Sequence, residues 1–172
     1  MENIIALASN TKVLNYKTPR AALMQTGLLA AALVLPSFCH YLSLPVAALV
    51  PMHWPVLLAG LVYGWRSGLM LGLAAPLISF LISGMPAGVM LPVMLCELSA
   101  YGFFAGICRE KLRFNFFPSV VCALVAGKVF YVLAMLAAAN TFSLAFLQTG
   151  IFAFVAQIVF LPAAAAGWTN SK

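Results

Sequence analysis

The sequence predicts an all-α integral membrane protein with six transmembrane helices. Of its 172 residues, 65% are hydrophobic and 7% are charged, whereas a soluble domain carries about 25% charged residues. The apolar residues form continuous runs without the alternation that is typical of a membrane β-barrel. A helix satisfies every backbone polar group by itself in hydrocarbon, so each run is expected to form a helix. The length accommodates about six such helices with short loops.

Short polar or proline-containing segments separate six apolar runs. Arg66-Ser67 is the predicted connection between the second and third runs, residues 83–88 separate the third from the fourth, and the charged cluster 109–113 precedes the fifth. The predicted runs are 21–39, 52–65, 68–82, 89–107, 117–139 and 142–167.

The basic residues alternate from one connection to the next. Three lie in the first 20 residues, one is Arg66, three lie in 109–113 and one is Lys172. The connections between spans 1 and 2, 3 and 4, and 5 and 6 contain none. Cytoplasmic loops carry an excess of Lys and Arg. We therefore expect a multi-pass protein of the plasma membrane with both termini in the cytoplasm. The predicted organisation is a tail over 1–20, a membrane domain over 21–167 and a tail over 168–172.

Two charged residues lie inside the predicted spans, Glu97 in the fourth and Lys128 in the fifth. A charge within the bilayer usually faces a partner or a water-filled cavity. At 1.5 Å per helical residue the two lie at similar depths, roughly 10 and 15 Å from the outer surface. They are expected either to form an ion pair that orients two helices or to line one pocket.

Met52-His53-Trp54 begins the second span on the expected outer side. A histidine there could contact a substrate or ligate a metal, and Met and His are axial ligands of haem iron. Alternatively, a Trp at a helix end is a common feature of the membrane interface. His40 is interpreted as a loop residue.

Glycines recur every fourth residue through the second and third spans, at Gly60, Gly64, Gly68 and Gly72. Small residues at this spacing let helix backbones approach closely, so we expect these glycines to pack helices together. The first span carries two similar stripes. They consist of Ala22, Thr26 and Ala30, and of Gly27 and Ala31.

Other classes of function are disfavoured. The basic residues are dispersed between apolar runs, which is unlike a nucleic-acid surface, and the four cysteines show no metal-binding or disulfide pattern. Neither a Gly-x-Ser-x-Gly nor a His-Glu-x-x-His motif occurs, and no histidine follows His53. We therefore expect neither an enzyme nor a metal centre, and no ATP hydrolysis by the chain itself.

The stretch 52–106 resembles the substrate-binding S component of energy-coupling factor (ECF) transporters of vitamins and micronutrients. The resemblance is carried by Met52-His53-x-Pro, by Gly84-Met85-Pro86 and by Glu97-Leu-x-x-Tyr101-Gly102. It implies capture of a small micronutrient in an outward-facing pocket, with cobalamin or another tetrapyrrole among the candidate substrates. It also implies a partner transmembrane coupling protein and two ATPase subunits, which alone use ATP.

On this basis we assign candidate residues to two surfaces. The candidate substrate-binding residues are Met52, His53, Met85, Pro86, Met94, Glu97, Tyr101 and Lys128. The candidate residues for docking to the coupling protein, implied by the resemblance, are Ala22, Thr26, Gly27, Ala30 and Ala31. Two alternatives remain open at this point: a stand-alone small transporter and a membrane scaffold protein without transport function.

Overall fold

The computed structural model describes residues 13–45, 49–139 and 151–170. Within these ranges the chain forms six helices and no strand, which confirms the all-α class. The helices are α1 Pro19–Tyr41, α2 His53–Tyr63, α3 Trp65–Ser83, α4 Leu91–Glu110, α5 Phe116–Ala139 and α6 Ile151–Asn170. Residues 142–150 of the predicted sixth run lie outside the described residues.

Five of these described helices are long and apolar enough to cross a membrane. The exception is α2, which has 11 residues and is therefore about 16 Å long, roughly half the thickness of the hydrocarbon core. Six complete spans and the cytoplasmic placement of both termini stay predictions.

The connection between α2 and α3 differs from the predicted one. The chain reverses at Gly64, whose φ of +88° is a backbone conformation that favours glycine. Arg66 and Ser67, predicted to form the connection, lie instead in the first turn of α3. The prediction was wrong because it relied on the polar pair as the break, whereas the positive φ is what ends α2.

The other glycines of the repeat do pack helices together. A Cβ added at Gly60 or Gly68 would collide with the backbone of Gly102, and one at Gly72 would collide with the backbone of Leu98. Since both arms of the α2–α3 hairpin touch Gly102, the hairpin lies directly on α4. The backbone contact leaves no room for side chains at these positions, and this confirms the close packing that the spacing predicted.

The bundle has two chemically different ends. The end at which α1 and α3 finish and α2 and α4 begin is here called the neutral end, and the opposite one the basic end. Arg66 lies at the basic end, together with Lys111 and Arg113 of the α4–α5 connection. Apart from Lys128, which lies inside the bundle, the basic residues of the described part of the chain thus lie at one end of the fold, in agreement with their alternation along the chain.

A buried arginine closes the basic end. Arg109 is fully buried, and its guanidinium donates to the carbonyl oxygens of Leu61 at 3.4 Å and Phe114 at 2.8 Å. The same group lies 3.7 Å from the centroid of the Phe116 ring. These contacts tie the end of α2 to the start of α5. Arg109 was predicted to lie in a polar connection, whereas it lies in the last turn of α4.

Candidate functional site

Glu97 is the centre of a buried polar cluster in the middle of the bundle. Its side chain is 5% exposed, and its Oε1 lies 2.9 Å from Nζ of Lys128 on α5. The hydroxyl of Tyr101, one turn further along α4, donates to the same oxygen at 3.1 Å. The other oxygen, Oε2, lies 3.8 Å from Nε2 of His53 on α2. Of the two arrangements expected for Glu97 and Lys128, the structure shows the ion pair.

Aromatic rings enclose the cluster. The rings of His53 and Tyr101 meet edge to face with their centroids 5.1 Å apart. Nζ of Lys128 lies 4.6 Å from the ring centroid of Tyr131 and 5.5 Å from that of Phe154, which is within the range of a cation–π contact. The ammonium is therefore held by one carboxylate and two ring faces.

A cavity of about 240 Å³ lies next to this cluster, at the neutral end. It is formed where α1 and α3 end and where α2 and α4 begin. Its lining residues are Pro36, His40, Val50, Pro51, Met52, His53, Ser79, Met85, Pro86 and Met94. We call this space the neutral-end cavity.

The neutral-end cavity brings together five of the eight residues assigned from the sequence, namely Met52, His53, Met85, Pro86 and Met94. The remaining three, Glu97, Tyr101 and Lys128, do not line it. They lie behind His53, which is the one residue that belongs both to the cavity wall and to the Glu97 cluster. The structure thus divides the predicted set into a wall and a supporting network.

Part of the cavity wall was not predicted from the sequence. His40, interpreted as a loop residue, lies in the last turn of α1 and lines the cavity. Pro36, one turn earlier, and Ser79 on α3 also line it. The available signal was a histidine, His40, one turn after a proline, Pro36, near the end of the first span. A single sequence does not show which helix ends lie next to each other, so this signal could not be assigned to the cavity.

A second, larger space of about 580 Å³ lies between α5 and α6. Among the described residues of its wall, Lys128 is the only polar one, and Val125, Val129 and Leu133 are more than half exposed. A polar ligand would find one hydrogen-bonding side chain, that of Lys128, among these lining residues. The neutral-end cavity is therefore the better candidate for a water-soluble ligand.

The docking residues assigned on α1 lie mainly on an exposed face. Ala22, Thr26, Gly27 and Ala30 are exposed and Ala31 is half-buried. A Cβ added at Gly27 would meet no atom within 4 Å. This face is free within the described part of the chain.

Metal ligands of the usual types do not cluster in the described residues: no group of three or more His, Cys, Asp or Glu side chains could hold an ion. The four cysteines are free thiols.

The family model of the substrate-specific component of ECF transporters matches residues 22–170. The chain belongs to this family. The match includes all six described helices except the first turn of α1, so it extends well beyond the 52–106 stretch that carried the resemblance. No curated protein and no solved structure matches the chain significantly. As an S component the chain is a substrate-specific membrane subunit, and its family is not one of enzymes.

Proposed function

We propose that this S component captures a small micronutrient in the neutral-end cavity and works with a transmembrane coupling protein and two ATPase subunits. The observation that carries the proposal is the convergence of Met52, His53, Met85, Pro86 and Met94 on one cavity. These residues come from three separate stretches of sequence, and only the packing of α2, α3 and α4 brings them together. Concave sites with apolar walls and a few convergent polar groups are typical of small-molecule binding.

The direction of capture follows from the charges. Cytoplasmic segments of membrane proteins are rich in Lys and Arg, so the basic end belongs in the cytoplasm and the neutral end outside. The cavity then opens toward the medium from which a micronutrient is taken. The exposed small-residue face of α1 is the proposed contact with the coupling protein, because small side chains allow close helix approach.

The size of the cavity bears on the substrate. Ligand sites usually measure about 300–1,000 Å³, and the neutral-end cavity, with about 240 Å³, lies just below that range. Of the substrate classes that the sequence suggested, this favours a vitamin or vitamin precursor smaller than a tetrapyrrole. The thioethers of Met52, Met85 and Met94 suit a small aromatic ring, because methionine sulfur makes favourable contacts with aromatic groups.

The test is a thermal-shift screen of the detergent-purified protein against vitamins, their precursors, cobalamin and haem. A ligand present at a hundred times its Kd stabilises the folded state by about 2.7 kcal/mol. Met94→Trp, which fills the cavity, should abolish that stabilisation, whereas Cys96→Trp on the exposed side of α4 should retain it. A screen without any stabilising compound, or a ligand that stabilises both variants equally, contradicts the proposal.

A further inference from the structure

We infer that the basic end binds the headgroup of an anionic phospholipid where α1 and α3 begin, through Lys17, Arg66 and Tyr16. The site lies at the opposite end of the bundle from the neutral-end cavity, so it does not depend on the proposed function. Three observations lead to it: two cations meet at one aromatic ring, neither has an acidic partner in the described part of the chain, and the fold holds the ring in place.

Two basic side chains from different parts of the chain meet at the ring of Tyr16. Nζ of Lys17 and Cζ of Arg66 each lie 5.9 Å from the centroid of this ring. Nη1 of Arg66 also lies 3.5 Å from the Tyr16 hydroxyl, and its Cζ lies 4.9 Å from the ring centroid of Trp65. Aromatic rings attract cations without neutralising them. The contacts therefore gather positive charge at one place and leave it uncompensated.

Neither cation has an acidic partner among the described residues. The ion pairs in that part of the chain both involve Glu97 in the interior, and Glu110, the described acid of the basic end, pairs with neither Lys17 nor Arg66. The third acid of the sequence, Glu2, lies outside the described residues. Lys17 and Arg66 are both exposed, so an anion from the surroundings can reach them.

Hydrogen bonds across the basic end hold Tyr16 in position. Its backbone oxygen accepts from Nε2 of Gln25 at 3.3 Å, and Oε1 of Gln25 accepts from the hydroxyl of Ser67 at 2.8 Å. Two residues before the ring, the N–H of Leu14 donates to the carbonyl oxygen of Val62 at 2.8 Å. The segment that precedes α1 is thereby tied to the end of α2 and the first turn of α3. A site that is ordered in advance binds its ligand at a lower entropic cost.

The position of the site selects a phospholipid as the source of the anion. Both α1 and α3 are long and apolar enough to cross a membrane, so their ends are expected at the level of the headgroups. Aromatic residues such as Tyr16 and Trp65 are typical of that level. About one turn into the two helices, Leu23 and Met70 are 69% and 67% exposed, which provides an apolar surface for acyl chains next to the two cations.

Two lipids that share their acyl chains and differ in headgroup charge test the inference. Native mass spectrometry of the detergent-purified full chain measures its affinities for dioleoylphosphatidylglycerol and dioleoylphosphatidylcholine. A basic residue near an anionic lipid surface contributes about 1 kcal/mol, which corresponds to about fivefold in affinity. The anionic lipid is therefore expected to bind at least about fivefold tighter. Equal affinities for the two lipids would overturn the inference.

A matched pair of variants tests the assigned residues. Arg66→Gln should weaken phosphatidylglycerol binding about fivefold and leave phosphatidylcholine binding unchanged. Arg113→Gln makes the same chemical change in the α4–α5 connection of the same end and should alter neither affinity. Both arginines are exposed, so neither variant should disturb folding. Equal losses in the two variants would show a diffuse attraction of the whole basic end and would overturn the site.

Glycerol phosphate distinguishes a lipid headgroup from a soluble phosphate, because it carries the phosphate without the acyl chains. In large excess it should not displace phosphatidylglycerol from the wild-type protein. Displacement at concentrations similar to those of the lipid would identify a soluble phosphate as the ligand and would contradict the inference. Because these measurements do not involve the neutral-end cavity, a negative result in any of them leaves the proposed function intact.

Discussion

Nζ of Lys128 lies 2.9 Å from Oε1 of Glu97, and this contact joins α5 to α4 in the interior of the bundle. The only two charges that the sequence places in the middle of apolar helices are thus each other's partner. Tyr101 and His53 complete the arrangement around the carboxylate. The ion pair therefore orients α4 and α5 within the fold. It also supports the cavity wall, because Glu97 lies next to His53.

Breaking the ion pair from one side should destabilise the protein more than removing both charges. Glu97→Gln or Lys128→Met alone leaves a buried charge without its partner, and each is expected to cost about 3–5 kcal/mol. The double variant should be clearly more stable than the sum of the two losses implies. Denaturation in detergent measures this, with Val125→Met on the exposed side of α5 as a near-neutral control. Strictly additive losses would mean that the two charges do not interact.

The contact between α3 and α4 should not tolerate a methyl group. In Gly102→Ala the new Cβ would collide with the backbone of Gly68, and overpacking of this kind costs about 1–3 kcal/mol or more. Gly27→Ala is the matched control, because its Cβ meets nothing within 4 Å and alanine favours a helix interior by about 0.5–1 kcal/mol. Melting temperatures of the two variants should therefore move in opposite directions. An unchanged melting temperature for Gly102→Ala would refute the close approach.

The buried arginine at the basic end should matter more than its exposed neighbour. Arg109→Met leaves the carbonyl oxygens of Leu61 and Phe114 without that donor, and each buried group left unsatisfied costs about 1–3 kcal/mol. Lys111→Met, two residues later and exposed, should change stability little. Comparing their unfolding midpoints checks this. Equal effects would show that the contacts of Arg109 are not what stabilises this end.

Several elements of the fold could be predicted from the sequence because hydrophobic composition determines them. The predicted fifth run, 117–139, agrees within one residue with α5, and the predicted loop over 83–88 lies between α3 and α4 except for its first residue, which ends α3. The α2–α3 connection could not be placed, because the reversal depends on the positive φ of Gly64 and not on the polar Arg66-Ser67 that follows. The short length of α2 is a consequence of the same turn.

The site was predictable in its residue types but not in its division of roles. Five predicted residues meet at one cavity, and the Met-His-x-Pro motif was sufficient to find two of them. Glu97 and Lys128 support His53 and do not line the cavity. This arrangement depends on how α4 and α5 pack together, which hydropathy does not encode. The participation of His40 was missed for a similar reason, since it requires the end of α1 to meet the start of α2.

The orientation of the protein can be checked by labelling single cysteines in intact cells. Met85→Cys is at the neutral end, where Met85 is 57% exposed, and should react with a membrane-impermeant maleimide added outside. Lys111→Cys, exposed at the basic end, should react only after the membrane is permeabilised. The unsubstituted protein, whose exposed thiol Cys96 lies within α4, gives the baseline. The reverse pattern would place the neutral-end cavity in the cytoplasm.

In the proposed function, His53, supported by Glu97, holds a ligand in the neutral-end cavity. The most direct measurement is the affinity of the stabilising micronutrient for His53→Ala and Glu97→Gln, with folding verified by size-exclusion chromatography. Each variant should bind at least about tenfold more weakly, as expected for loss of a buried hydrogen-bonding group. Cys96→Ala, one residue from Glu97 but on the exposed side of α4, should bind like the wild type. Unchanged affinity in both His53→Ala and Glu97→Gln would contradict the account.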